Sequence, residues 1–205
     1  INTTREAHVI TIEDPLEYLH QHKKSVVTQR ELYTDTRSYE AALRAALREA
    51  PDVILLGEMR DAETIKAAVT AAETGHLVIS TLHTIGAANT VDRIVDTFPP
   101  EQQRQIRTQL ALALEGVVSQ QLLAAEGGTL IPAFEVMTVT PAVRNMIRES
   151  KAFQLDSVIS TSGALGMITM DQSILELVRG GRVSRDTALR HASNPDWLEK
   201  RLSSL

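Results

Sequence analysis

Four consecutive aliphatic residues, Val53-Ile54-Leu55-Leu56, stand between Asp52 and Gly57-Glu58. A strand with one face in water alternates polar and apolar residues; this run has no polar residue to offer. It reads as a strand covered on both faces, the place strands take in a parallel sheet layered by helices. The flanking segments agree. His8–Ile12 is short and β-branched and is followed by Pro15, which a central strand does not contain. Leu77–Leu82 reads as a further strand. Between these lie helical patterns. Ser38–Ala50 is rich in Ala and Leu, with Ser38 as N-cap and Pro51 as its stop. Asp61–Thr74 has Asp61 as N-cap and Gly75 as terminator, and Gly86–Asp96 is a third helical stretch. Strand and helix alternating through short connections predict an α/β fold.

After Pro99-Pro100 the pattern changes. Glu101–Gln120 has Ile106, Leu110 and Leu114 at helical spacing, while Val117–Leu123 and Leu130–Met137 suggest two more strands. From Pro141 onward the segments are helical: Pro141–Glu149, Met170–Arg179, Ser184–Ala192 and Asn194–Leu202. A boundary near 138–141 would divide the chain into a core at 1–139 and a helical subdomain at 140–205. Aromatic residues are 3% of the chain, so any core must be aliphatic, and the absence of cysteine excludes disulfides and thiolate metal sites. No apolar run approaches the roughly 18 residues of a spanning helix, and no signal-peptide pattern opens the chain. Both point to a soluble protein, and the absence of cysteine fits a reducing cytosol. The chain begins at Ile1 rather than Met, from which we expect a start inside a longer protein. The net charge of -5 argues against a nucleic-acid surface. In residues 140–205, however, 9 Lys and Arg outnumber 7 Asp and Glu. That is either ordinary surface scatter or a mildly basic surface for a partner.

In parallel sheets, chemistry gathers at the carboxyl ends of the strands. Three such ends carry polar clusters: Glu13-Asp14-Pro15-Leu16-Glu17, Gly57-Glu58-Met59-Arg60-Asp61, and Leu82-His83-Thr84. An acid directly after an aliphatic strand, as Glu58 is, suits the positioning or deprotonation of a water that attacks a nucleotide. Glu13, Asp14 and Glu17 form either a solvated turn or a carboxylate group facing hydrated Mg²⁺. His76 and His83 sit at opposite ends of one strand and are poor partners for one metal; His83 reads as a hydrogen-bonding group at the strand end. Arg30, Arg44, Arg48 and Arg60 are either a solvated face paired with Glu40 or Glu49, or contacts to phosphate.

Together these segments resemble a known family. ITIEDPLEY at 10–18 resembles the Asp box of the type II secretion and type IV pilus ATPases, DVILLGEMRD at 52–61 their atypical Walker B strand, and TGHLVISTLHT at 74–84 their His box. PAVRNMIRES at 141–150 and ALGMITMDQS at 164–173 are similar to the retraction, or PilT-like, branch. The resemblance implies a RecA-like P-loop ATPase core, partial here, followed by a helical C-terminal subdomain. It implies that Glu17 and Glu58 are catalytic and hold Mg²⁺ through water. It implies that His76, His83, Glu13, Asp14 and Arg48 face ATP, and that Arg144, Asn145, Ile147 and Arg148 contact a partner or carry a signal. Gly57 stands where most P-loop enzymes have an aspartate.

A homohexameric ring is implied, driving pilus retraction and twitching motility through an inner-membrane platform protein, peripheral to that membrane and without nucleic acid. No G-x-x-x-x-G-K-[ST] occurs in the 205 residues. The phosphate-binding loop, its strand and its helix are therefore expected before Ile1, which would leave this chain inactive alone and its sheet with an open edge. The alternative is a non-catalytic assembly or regulatory module that keeps the fold. A DNA-translocating relative is disfavoured by the acidic charge.

Overall fold

The aliphatic run forms a central strand. The structure is a computed structural model describing residues 1–125 and 127–204. Strands β1 (His8–Glu13), β2 (Val26–Glu31), β3 (Val53–Leu56) and β4 (Leu77–Ser80) are all parallel, in the order β2-β1-β3-β4. Ile10 lies opposite Ile54, and Ile54 opposite Val78. Helices α1 (Tyr39–Ala46) and α2 (Ala62–Glu73) supply Leu43, Ala42, Ala46, Ala68 and Ala71 to one core with Ile10, Ile12, Ile54 and Leu56. The expected caps form. The Ser38 hydroxyl accepts from Ala41 N at 3.1 Å, and Asp61 accepts from Thr64 N at 2.8 Å. At one edge of the sheet β4 leaves Leu77 and Ile79 about two-fifths exposed, at 40% and 41%. Strand β2 is the other edge, and the sequence reading passed over it. Its Thr28, Gln29 and Arg30 hide the alternation that marks a strand.

Helices α3 (Ala87–Asp96) and α4 (Pro100–Ala113) follow. The helix expected to reach Gln120 stops at Ala113, and residues 116–124 are strand instead. Val117 and Val118 are β-branched, and Ser119 and Leu123 fall on one buried face at strand spacing. Pairing with a neighbour then outweighs helical continuation. Gly116 permits it: a Cβ there would lie 3.1 Å from Met137 O. Strands β5 (Gly116–Ala124) and β6 (Leu130–Thr138) form an antiparallel pair, with Gly116 opposite Thr138 and Ala124 opposite Leu130. Helices α5 (Pro141–Arg148), α6 (Leu155–Thr161), α7 (Met170–Arg179), α8 (Arg185–His191) and α9 (Pro195–Leu202) complete the chain.

Two compact units emerge, Ile1–His83 with Ile94–Ala113, and Thr84–Arg93 with Leu114–Leu205. The second unit thus takes in Thr84–Arg93 as well as everything from Leu114 onward, whereas the sequence led us to expect one boundary near 138–141. Leu123, Ile131 and Ala133 on the inner face of the β5–β6 pair share a core with Met170, Ile174, Ala188 and Leu198, so the pair belongs with the C-terminal helices. Among the described residues no helix is long and apolar enough to cross a membrane.

The second unit buries a carboxylate. Glu135 on β6 accepts from Ala87 N at 2.7 Å through Oε1 and from Met170 N at 3.3 Å through Oε2. Both donors open helices, where backbone N–H groups lack intrahelical partners and a negative charge is favoured. Burial pushes the Glu135 carboxyl above its usual range, opposed by these two hydrogen bonds. A glutamine offers one oxygen for two donors. Glu135→Gln is expected to destabilise the protein by about 1–3 kcal/mol at neutral pH, read as a lower melting temperature.

Candidate active site

The end of β3 is tied to β1 on one side and to the end of β4 on the other. Gly57 N donates to Ile12 O at 2.8 Å, the Thr81 hydroxyl donates to Gly57 O at 2.5 Å, and Met59 N donates to Thr81 O at 3.1 Å. Glu58 is fixed between these ties. It is a buried residue, 8% exposed, although it stands at a strand end. Its Oε1 pairs with Arg60, and its Oε2 lies 3.2 Å from His83 Nε2. Both partners are open to solvent, His83 to 86% of its side chain.

The hydrogen bond from Arg60 holds the Glu58 carboxyl below the usual carboxylate range, against the burial that would raise it. Glu58 is thus an ionised, inward-held carboxylate whose two hydrogen-bonding partners, Arg60 and His83, are exposed to solvent. Because its folded pKa is depressed, Glu58 contributes stability above its ordinary value of about 4.3, and that contribution is lost as pH falls through the folded value. Arg60→Gln is expected to move the loss to higher pH, toward the ordinary value. Melting temperatures measured between about pH 3 and 6 check it.

Gly57 is required by space rather than by backbone conformation. A Cβ on it would lie 2.9 Å from Tyr39 Oη and 3.4 Å from Ile12 O. Tyr39 opens α1, and its hydroxyl is buried with no hydrogen-bond partner. Gly57→Ala must displace the rigid phenol ring, at a cost of about 1–3 kcal/mol that calorimetry reads directly.

The three acids of the first strand end have separate fates. Glu13 accepts from the Thr11 hydroxyl at 2.6 Å and from Gln29 Nε2 at 3.3 Å, so its Oε1 is occupied within the sheet. Asp14 is exposed, near enough to Tyr39 to raise that group's pKa. Glu17 is exposed on a loop held by β2 side chains: Glu31 accepts from Leu16 N at 3.3 Å, and Gln29 Nε2 donates to Tyr18 O at 2.9 Å. No hydrogen bond or ion pair joins Glu17 to Glu58. Among the described residues no group of three or more His, Cys, Asp or Glu side chains is placed to hold a metal ion.

Of the two histidines, only His83 reaches Glu58. The His76 ring lies at the amino end of β4, with Nδ1 2.9 Å from Ala71 O and 3.2 Å from Thr74 Oγ1, where it closes the end of α2. The arginines divide too. Arg44 pairs with Glu40 and Arg30 with Glu49, both at 2.5 Å, as on a solvated face. Arg48 is exposed beyond the last turn of α1, at the end remote from Tyr39. In α5, Arg144 pairs with Glu115 at 2.6 Å, and Asn145 and Arg148 are exposed. Ile147, expected to meet a partner, is 0% exposed. It is a core residue, because the amphipathic face of α5 turns Val143 and Ile147 inward.

A family model described as "Type II/IV secretion system protein" matches residues 1–130. The chain belongs to the type II/IV secretion system protein family. Within that family it is PilT-like. It is 51% identical, over 96% of its length and 57% of the relative's, to the Pseudomonas aeruginosa type IV pilus retraction ATPase PilT. It is 54% identical, over 96% of its length and 53% of the relative's, to a Neisseria gonorrhoeae twitching motility protein. The crystal structure of the pilus retraction motor PilT with bound ADP superposes with a TM-score of 0.90 at 48% identity, covering 97% of this chain and 56% of that one. The chain thus spans about half the length of the relatives it matches. Its parallel sheet and flanking helices are the α/β fold of these secretion-family ATPases, consistent with a partial RecA-like core.

Proposed function

We propose that this chain carries the water-activating half of an ATP-hydrolysing motor that drives type IV pilus retraction. The observation that carries this reading is Glu58: a buried, ionised carboxylate at the carboxyl end of a central strand, with exposed His83 and Arg60 as its only hydrogen-bonding partners among the described residues. Such a group takes a proton from water, or orients it, at the phosphate of a bound nucleotide. His83 and Arg60 then turn to phosphate oxygens, and Glu17 joins from its loop once ligand is present. Asp14 lies on the same side, through its influence on Tyr39.

The donors at this strand end are carboxylate and hydroxyl oxygens, the chemistry that suits Mg²⁺. Bound there, the ion would offset charge on the phosphates, and Glu58 and Glu17 would hold it through water. No chemistry is assigned to His76 or Arg48, given where they lie.

The 205 residues contain no phosphate-binding loop, whose amides and lysine supply most of the grip on phosphate. The chain alone is therefore expected to bind ATP weakly and to turn it over negligibly. The open edge of β4, with exposed Leu77 and Ile79, suits a further strand from the portion of its relatives that this chain does not span. The assembled protein would be a homohexameric ring on the cytoplasmic side of the inner membrane, pulling through a platform protein. The exposed Asn145 and Arg148 of α5 would serve that coupling.

The test is phosphate release from Mg²⁺-ATP by a version extended to the full length of its relatives, alongside Asn145→Ala and Arg148→Ala in the same background. These substitutions should leave hydrolysis unchanged and stop pilus retraction. An extended version that binds ATP without hydrolysing it would favour the non-catalytic module instead.

A further inference from the structure

Thr81 grips the backbone on both sides of Glu58. Its hydroxyl donates to Gly57 O at 2.5 Å, and its carbonyl oxygen accepts from Met59 N at 3.1 Å. Gly57 O belongs to the peptide group before Glu58, and Met59 N to the peptide group after it. A residue has two soft backbone torsions, and each turns one of these planar groups about the Cα between them. With both groups anchored to one residue, the Cα–Cβ bond of Glu58 has a fixed direction. Arg60 and His83 then hold the carboxylate itself. The hydroxyl bond is not a rung of the sheet. The β3–β4 ladder ends with Leu56 opposite Ser80, and one residue further a side-chain hydroxyl does what a backbone N–H would do. Thr81 is exposed and takes no part in the core beneath the sheet, so little packing depends on it.

We propose that Thr81 is a positioning residue for hydrolysis: by anchoring both peptide groups that flank Glu58, it aims the carboxylate at the attacking water. The hydroxyl is the part specific to this residue, because the bond from Met59 N uses a backbone carbonyl that any residue supplies. Without the hydroxyl the Gly57–Glu58 peptide can rotate, the carboxylate spreads over several directions, and a smaller fraction of bound states is poised for attack. Thr81 touches no reacting atom and acts through Glu58. This inference rests on Glu58 acting on water.

The test uses Thr81→Val, which keeps the branched shape and removes the hydroxyl, beside Thr81→Ser, which keeps the hydroxyl. In the extended version Thr81→Val should lower kcat about three- to tenfold, the value of one hydrogen bond, with KM for ATP unchanged. Thr81→Ser should hold kcat near the parent value. In a Glu58→Gln background Thr81→Val should cause no further loss, because a residue that acts through Glu58 then has nothing left to aim. Unchanged kcat in Thr81→Val would overturn the proposal. A fall by the same factor in both backgrounds would also overturn it, because the hydroxyl would then be supporting the fold and not Glu58. Glu58→Gln alone separates the two levels. If it abolishes turnover and Thr81→Val does not lower it, only the role of Thr81 fails. If Glu58→Gln leaves turnover intact, the reading of the site fails, and this inference with it.

Discussion

Glu58→Gln in the extended protein leaves nucleotide affinity nearly unchanged and lowers turnover about 10²–10⁴-fold, the usual contribution of a positioned acid or base. The substitution is nearly isosteric. Its remaining oxygen still accepts from Arg60 or His83, so the ties that hold β3 and β4 together at Gly57, Met59 and Thr81 persist. What is lost is the negative charge that takes the proton. Equilibrium binding of a fluorescent ATP analogue, with phosphate release from the same sample, separates the two effects. Turnover within a factor of two of the parent would remove Glu58 as the acting carboxylate. A proportional loss of binding and turnover would give it a role in grip instead.

Ile54→Ala is the second large effect, and it acts through the sheet. Ile54 is fully buried in the central strand, between Ile10 and Val78, under Leu43, Ala46, Ala68 and Ala71. The surrounding alanines have no long side chains with which to refill the space. A loss of about 2–5 kcal/mol is expected, against about 0.5–1.5 for Ile54→Val. Amide hydrogen exchange of the β1 and β3 backbone reads the loss within this unit, where opening of the sheet exposes Ile10, Ile12 and Leu55 N–H groups. Protection factors that fall no further for Ala than for Val would mean that the core closes over the cavity. Glu58 lies four residues along the same strand direction, so the same change should also lower turnover in the extended protein.

The sheet was legible because buried parallel strands have a composition of their own. Val53–Leu56, His8–Ile12 and the run from Leu77 admit few other readings. The caps were legible because Ser38 and Asp61 act on the backbone within three residues. Long-range competition was not legible. Ile106, Leu110 and Leu114 keep helical spacing, and nothing local says that the helix must end at Ala113; pairing between β5 and β6 across 20 or so residues decides it.

The same limit applied to the site. Glu58 and His83 stood out in the sequence because each sits at a strand end, and their contact follows from β3 and β4 being neighbours. The contact of Tyr39 with Gly57 was not legible because Tyr39 reads as the first residue of a helix, and its approach to Gly57 depends on how α1 lies on the sheet. The glycine was the available clue: an achiral residue at the end of an aliphatic strand, without a positive φ to require it. Ile147 was misassigned because a motif carries its core residues along with its surface ones.

The most direct measurement is phosphate release from Mg²⁺-ATP by three samples: the 205-residue chain, the version extended to its relatives' length, and that version carrying Glu58→Gln. Turnover confined to the extended wild-type protein, with ATP bound by both extended forms, is the predicted result. Saturable binding and turnover by the 205-residue chain alone would contradict it, since the nucleotide site would then be complete without a phosphate-binding loop.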